Sequence, residues 1–188
     1  MPPPIEIVAP QASWLRDFAA LKGAILRAAP PGARVHHIGS TAVAGLAAKD
    51  VIDIQLTVAD LADVDDGALA GQGFARVVAL TEDHCPPGVS LPPHELRKRF
   101  YKSTGRAANL HVRETGRFNQ RYALLCRDYL RAHKGAADAY AHIKRRLAAR
   151  APTDMEAYCA IKDPVFDIIM AGAEEWAVRV GWREPPAD

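Results

Sequence analysis

At 188 residues, with 49% hydrophobic and 24% charged side chains, the chain has the length and composition of one ordinary globular domain, which argues against a disordered or fibrous protein. Its 24 basic and 22 acidic residues leave a formal charge of +2, too little for a general nucleic-acid or membrane surface, so electrostatic arguments rest on local clusters. Three widely spaced cysteines without a CxxC pair, no basic start followed by an apolar run, and no apolar stretch near the ~20 residues a bilayer requires predict a cytoplasmic protein kept in a reducing compartment.

Trp14, Leu15, Phe18, Leu21, Ile25 and Leu26 recur at helical spacing, with Ser13 as a cap and Pro30-Pro31 as a stop. Arg34 to Ile38 and Val51 to Val58 read as strands joined by the small-residue segment GSTAVAGLAAK. A helix from about Leu61 to Leu69 leads into a strand from Phe74 to Leu80, after which Pro86, Pro87, Pro92 and Pro93 enforce an irregular, lid-like excursion. Arg97 to Ser103 and Ala108 to Arg113 read as a hairpin, with Gly105 near its turn. From Phe118 onward the pattern is helical: Tyr122, Leu125, Cys126, Tyr129 and Leu130 share one face, and Tyr140, Ile143 and Leu147 the next. Thr153 and Glu156 form a capping-box pattern, and Asp163-Pro164 is expected to break that helix and start another. The predicted class is α/β (α+β), a mixed sheet flanked by helices, as a single domain with the cleft in residues 1–115 and a helical part, 116–188, packed on it.

The chemistry is concentrated in HHIGSTAVAGLAAKDVIDIQLT, where one strand ends in Gly39-Ser40 and the next presents Asp53. Gly39 permits close backbone approach to a ligand, and Ser40 and Thr41 offer hydroxyl and amide groups to phosphate oxygens. Strand alternation puts Asp53, Gln55 and Thr57 on one face, expected to be exposed, and Ile52, Ile54 and Leu56 in the core. A carboxylate beside a phosphate loop is a natural magnesium ligand, yet phosphoryl transfer generally draws on more than one anionic ligand, and the same-face neighbour here is Gln55. Asp50 faces away from Asp53 on a regular strand.

These residues resemble the signature of the GrpB family, itself similar to the nucleotidyltransferase fold of polymerase-beta-like enzymes. The resemblance continues through NLHVRETGRFNQRYALLCRDYLRAH, EAYCAIKDPVFDIIM and EEWAVRVGW, nearly the whole chain. It is nearest to the GrpB-type domain at the C-terminal end of some bacterial dephospho-coenzyme A kinases, although the chain contains no GxxxxGK[ST] phosphate loop. The resemblance implies a nucleotidyltransferase-like mixed sheet with a nucleotide cleft. Carried over, Gly39 and Ser40 match the triphosphate-binding pair and Asp53 the first metal-binding acid. Gln55 departs from the second acid, and the third position falls in Asn109-Leu110-His111, so that His111 replaces a carboxylate. Ala44 and Asp50 stand where the family pattern has prolines.

The candidate site is therefore Asp53 and His111 as catalytic groups, Asp53 as ligand of a magnesium ion, and Gly39, Ser40, Thr41, Lys49, Arg99 and Lys102 as nucleotide or phosphate ligands. Arg99 and Lys102 belong to a basic stretch, Arg97, Lys98, Arg99, Lys102, Arg106, Arg113, Arg117 and Arg121, opposed locally only by Glu114. Arg97, Arg99, Tyr101 and Ser103 share one face of their strand and Lys98, Phe100 and Lys102 the other, so one set would grip phosphates. Tyr158 and Lys162, one helical turn apart, either contact a nucleotide or simply pack and solvate. Of His36 and His37, one packs and the other is a candidate for the cleft. His84, Cys85 and His94 resemble metal ligands in type but not in spacing. Three functions remain open: a magnesium-dependent nucleotidyltransferase acting on a nucleoside triphosphate; an accessory domain with a degenerate site, binding a phosphorylated small molecule or a protein partner in cofactor metabolism; and, least favoured, a nucleic-acid-binding module.

Overall fold

Ile52, Ile54, Leu56 and Val58 are all at most 1% exposed, and the strand that carries them is the centre of the fold. A computed structural model describes residues 3–188. In chain order its elements are α1 (Ser13–Ala28), β1 (Arg34–Ile38), β2 (Ile52–Val58), α2 (Asp66–Gly71), β3 (Phe74–Arg76), β4 (Arg99–Ser103), β5 (Ala108–Glu114), α3 (Phe118–Ala132), α4 (Lys134–Arg150) and α5 (Met155–Val180). The strands form one mixed sheet in the order β1-β2-β5-β4-β3, where only β2 and β5 run parallel. That parallel pair needs a long crossover, which α2, β3 and β4 supply. The expected mixed sheet flanked by helices, with a helical C-terminal half, is the architecture observed.

One face of the sheet packs Ile54, Leu56, Leu110 and Val112 with Trp14, Phe18 and Ile25 of α1. The other face is also covered. Gln55 and Thr57 are buried rather than exposed, and Gln55 Nε2 donates to the Gln120 carbonyl of α3 at 3.2 Å. A central strand roofed on both sides explains why the face carrying Asp53 is a cleft wall rather than a surface. A second core joins Leu125, Cys126, Tyr140, Ile169 and Met170 of the three C-terminal helices to Val43, Leu46 and Ala47. The β1–β2 connection is thus packed into the helical half. Past α5, Trp182 Nε1 donates to Asp128 at 3.0 Å, and His37 N donates to the Asp188 side chain at 2.7 Å, so the last residues cover part of the β1 edge.

Several boundaries differ from the sequence reading. Residues 61–69 divide into a 3₁₀ turn, Leu61–Asp63, and α2, because Asp60 and Asp65 each cap a separate start. β3 ends at Arg76 instead of Leu80, and a turn bond from Leu80 N to Val77 O carries the chain off the sheet. Helix α1 has Ala12 at its cap position, with Ser13 already helical, and α5 is capped by Asp154 accepting from Ala157 N, not by a Thr153–Glu156 box. Pro164 does not break α5, which runs unbroken for 26 residues. Proline forfeits one N–H and crowds the preceding turn, whereas the stripe of Tyr158, Ile169, Met170, Ala173 and Ala177 stays buried on both sides of it. Pro164→Ala should therefore raise the unfolding free energy by about 1–3 kcal/mol, measured by urea denaturation; an unchanged midpoint would mean that the helix has already absorbed the cost.

Candidate functional site

The site begins where β1 ends. Gly39 has φ 69° and ψ −168°, a region all but reserved for glycine. β1 and β2 pair Ile38 with Asp53, and a Cβ on Gly39 would stand 2.5 Å from Asp53 Oδ2. The glycine is thus required twice, by backbone conformation and by the carboxylate beside it. Ser40–Ala42 then form a 3₁₀ turn, and the buried Thr41, Val43, Leu46 and Ala47 hold it in place. His37 Nε2 lies 3.0 Å from Thr41 Oγ1, so this histidine braces the turn from behind; neither His36 nor His37 lines the cavity.

A cavity of about 580 Å³ opens between this turn, the β2–β5 face, the 77–98 excursion and α3, α4 and α5. Of the expected site residues, Gly39, Ser40, Thr41, Lys49, Asp53 and His111 line it. Arg99 and Lys102 do not. Arg99 points to the opposite side of the sheet, where it donates to Val64 O and Asp66, and Lys102 is exposed. Alternation along β4 brings Lys98 and Phe100 to the cavity instead. Asp50 is occupied elsewhere, accepting from Trp14 Nε1 at 2.8 Å and pairing with Arg106. Lys162 and Tyr158 both face the cavity.

Asp53 is the carboxylate nearest the glycine turn. Burial pushes its pKa up, while the Asn109 amide, donating at 2.8 Å, and the charges of Lys162, Lys49 and Lys144 pull it down. Lys144, on α4, donates to Ser40 Oγ at 2.8 Å and to Ala47 O at 2.6 Å and is 3% exposed. Burial, reinforced by the nearby Lys162 charge, pushes its ammonium down to about 7. Among the described residues neither Lys49 nor Lys144 forms an ion pair, and Lys162 pairs with its neighbour Asp163 at 2.8 Å. The turn end of the cavity therefore gathers three lysines around Asp53.

The far end is organised by Arg113, whose side chain is 6% exposed. It donates to Gln55 Oε1 at 2.6 Å, to Asp83 through Nε at 2.7 Å and Nη2 at 3.0 Å, and approaches His111 Nδ1 at 3.3 Å. Asp83 also accepts from Lys98 at 2.7 Å and Asn119 at 3.0 Å. Burial alone would raise the Asp83 pKa, but Arg113 and Lys98 hold it well below the usual carboxylate range. One carboxylate thereby pins the 77–98 excursion to β5 and α3. Because a guanidinium can only donate, the Arg113 contact makes His111 Nδ1 an acceptor and leaves the ring proton on Nε2. Burial and the charges of Arg113 and Lys98 keep that ring neutral.

This donor set does not fit a pair of magnesium ions. Gln55 has its oxygen bound to a guanidinium, His111 has Nδ1 facing the same cation, and Asp83 is saturated. Among the described residues no cluster of three His, Cys, Asp or Glu side chains is placed to hold a metal. Of the carboxylates lining the cavity, Asp83 and Asp163 are paired with cations and Asp53 forms no ion pair among the described residues, so Asp53 is the side chain that would hold a magnesium ion. His84 joins Asp167 at 2.9 Å, His94 joins Glu95 at 3.2 Å, and Cys85 donates to Val89 O, so these three do not converge. Much of the basic stretch is paired with acids: Arg106 with Asp17 and Asp50, Arg117 with the local Glu114 and with Glu95, and Arg121 with Glu174. Lys144 escaped the sequence reading, although a lysine on the same helical face as Tyr140, Ala141 and Ala148 was a usable signal. Asp83 sits in an irregular segment with no pattern to mark it.

Fold and cavity together define a mixed-sheet α/β protein with a glycine turn over a lysine-rich pocket. The model of the family described as GrpB protein matches residues 4–171, and the chain belongs to the GrpB family. It is 35% identical over 197 residues to a dephospho-CoA kinase of Mycolicibacterium paratuberculosis, covering 96% of this chain and 48% of that protein. It is 38% identical over 175 residues to a UPF0157 protein of Pseudomonas aeruginosa, covering 90% of this chain and 67% of the relative. The chain thus spans about half the length of that kinase relative. The crystal structure of conserved protein GrpB from Enterococcus faecalis superposes with a TM-score of 0.74 at 24% identity, covering 91% of this chain and 99% of the other, which establishes the shared fold. Among the described residues no helix is long and apolar enough to cross a membrane.

Gly39→Ala should cost about 2–4 kcal/mol, combining a glycine-only conformation with a clash against Asp53. Thermal denaturation measures this, and a loss below about 0.5 kcal/mol would show that the turn is not held as described.

Proposed function

We propose that the cavity binds a nucleotide or another phosphorylated small molecule, with the Ser40 turn and Lys49, Lys144 and Lys162 as its phosphate end. The observation that carries this reading is the gathering of Lys49, Lys144 and Lys162 around Asp53, with Lys162 alone of the three ion-paired among the described residues, a set of N–H donors that the oxygens of a polyanion would take up. Phe118, Tyr122 and Phe166 line the same cavity and offer flat apolar surface to the remainder of the ligand. Magnesium enters this reading only with the ligand, and Asp53 is the side chain that would hold it. Nucleotidyl transfer by a metal pair, as in nucleotidyltransferases of similar fold, is not favoured, because Gln55 replaces the second acid and its amide oxygen is bonded to Arg113. The better account is an accessory or binding domain built on a nucleotidyltransferase-like scaffold. Its similarity to part of dephospho-CoA kinases supports a place in cofactor metabolism.

Calorimetry with the four common nucleoside triphosphates, with and without magnesium, tests this. Binding should weaken by tenfold or more in Lys144→Met, since one charge-assisted hydrogen bond is worth about 1.5–3 kcal/mol. It should also weaken about tenfold between pH 6 and 8.5, as Lys144 loses its proton through about 7. Asp53→Ala should abolish any magnesium dependence. Failure of every triphosphate and of inorganic pyrophosphate to bind would overturn the reading.

A further inference from the structure

Ser40 has a partner that a phosphate cradle does not require. Lys144 Nζ lies 2.8 Å from Ser40 Oγ, in a position that is 3% exposed and where no carboxylate pairs with it among the described residues. The Ala47 carbonyl, at 2.6 Å, can only accept, so it takes one N–H and fixes the nitrogen's orientation. The ring of Tyr140, with its centre 4.5 Å from Nζ, closes another side. Ser40 itself is half-buried and lines the cavity, held by a turn whose neighbours on both sides are packed. A serine hydroxyl aimed into a pocket, with a desolvated lysine in hydrogen-bond contact behind it, is the arrangement that activates a nucleophile without a metal.

We propose that Ser40 is a nucleophile and Lys144 its general base, forming a serine–lysine pair that accepts an acyl group from an ester or thioester bound in the cavity. The proposal rests on the cavity being a ligand site but not on the ligand carrying phosphate. In the first step the neutral Lys144 takes the Ser40 hydroxyl proton as Oγ bonds to the carbonyl carbon, and the C=O electron pair moves onto oxygen. Collapse of that tetrahedral species breaks the bond to the alkoxide or thiolate, which leaves with the proton from Lys144. Water, deprotonated by Lys144 in turn, releases the acid and restores the Ser40 hydroxyl. No oxidant, reductant or metal is needed. Acyl rather than phosphoryl transfer is chosen because the donors that a metal pair would need are already bonded to Arg113.

The charged and titratable groups around Lys144 are Asp53 on β2, Lys49 after the turn, Tyr140 and Arg145 on α4, and Lys162 and Asp163 on α5. Burial and the surrounding lysines favour the free amine near neutral pH. The test is covalent labelling of the full chain with a fluorophosphonate, in which Ser40 Oγ displaces fluoride, followed by mass mapping of the adduct. One adduct on Ser40 is expected. Its rate should rise about tenfold between pH 6 and 8 as Lys144 deprotonates, and it should vanish in Ser40→Ala and in Lys144→Arg. The pH profile of the wild type keeps the test valid if either variant folds poorly. No adduct on Ser40 between pH 6 and 9, or a pH-independent rate unaffected by Lys144→Arg, would overturn the proposal and leave Lys144 as a structural clamp. Labelling without triphosphate binding would sink only the phosphate reading, and binding without labelling only this one.

Discussion

The contact of Lys144 with Ser40 and Ala47 is the interaction on which the site depends, because it joins two parts of the chain that no strand pairing connects. α4 belongs to the helical half, and the Ser40 turn belongs to the sheet. Burying an amine to make that joint is costly unless its hydrogen bonds are satisfied. Here the Ser40 hydroxyl and the Ala47 carbonyl satisfy it, and the cost is visible as a lysine that gives up its proton near neutrality. The same joint creates the cavity wall, so packing and chemistry share one residue.

Arg113 plays the complementary part at the other end. Its guanidinium stands among Gln55, Asp83 and His111 and engages an oxygen or nitrogen of each. An internal cation held by these side chains stands where a bound ion would otherwise balance Asp83, without being exchangeable. Asp83 then fastens the long excursion over the pocket by accepting from Arg113, Lys98 and Asn119, beside the contacts of His84 with Asp167 and of Glu95 with the Phe118 N–H. The pocket's two ends thus differ in kind: at one, Arg113 and Lys98 are held by Asp83, and at the other Lys49, Lys144 and Lys162 stand around Asp53.

Much of this was legible in the sequence. The bounds of β1 follow from its residues, and the Gly39–Ser40–Asp53 grouping from strand alternation and the need for a tight turn. Alternation along β4 separates its two faces, with Arg99 on one and Lys102 on the other, but nothing in the sequence says which face meets the cavity. The continuity of α5 through Pro164 depends on packing partners far away in the chain. Lys144 lies 104 residues from Ser40, and Asp83 is 30 residues from Arg113, so neither pairing has a local pattern. Periodicity reports what each element buries; it does not report which distant polar group completes a hydrogen-bond set.

The most direct test of this account is the titration of the Lys144 side-chain nitrogen itself, followed by nuclear magnetic resonance in protein labelled with ¹⁵N-lysine and assigned with Lys144→Arg. A midpoint of about 7 would show the buried, poised amine on which both the phosphate end and the serine–lysine pair rely. A midpoint near the ordinary lysine value of 10.5 would contradict it, placing Lys144 in water and removing the joint between the helices and the Ser40 turn.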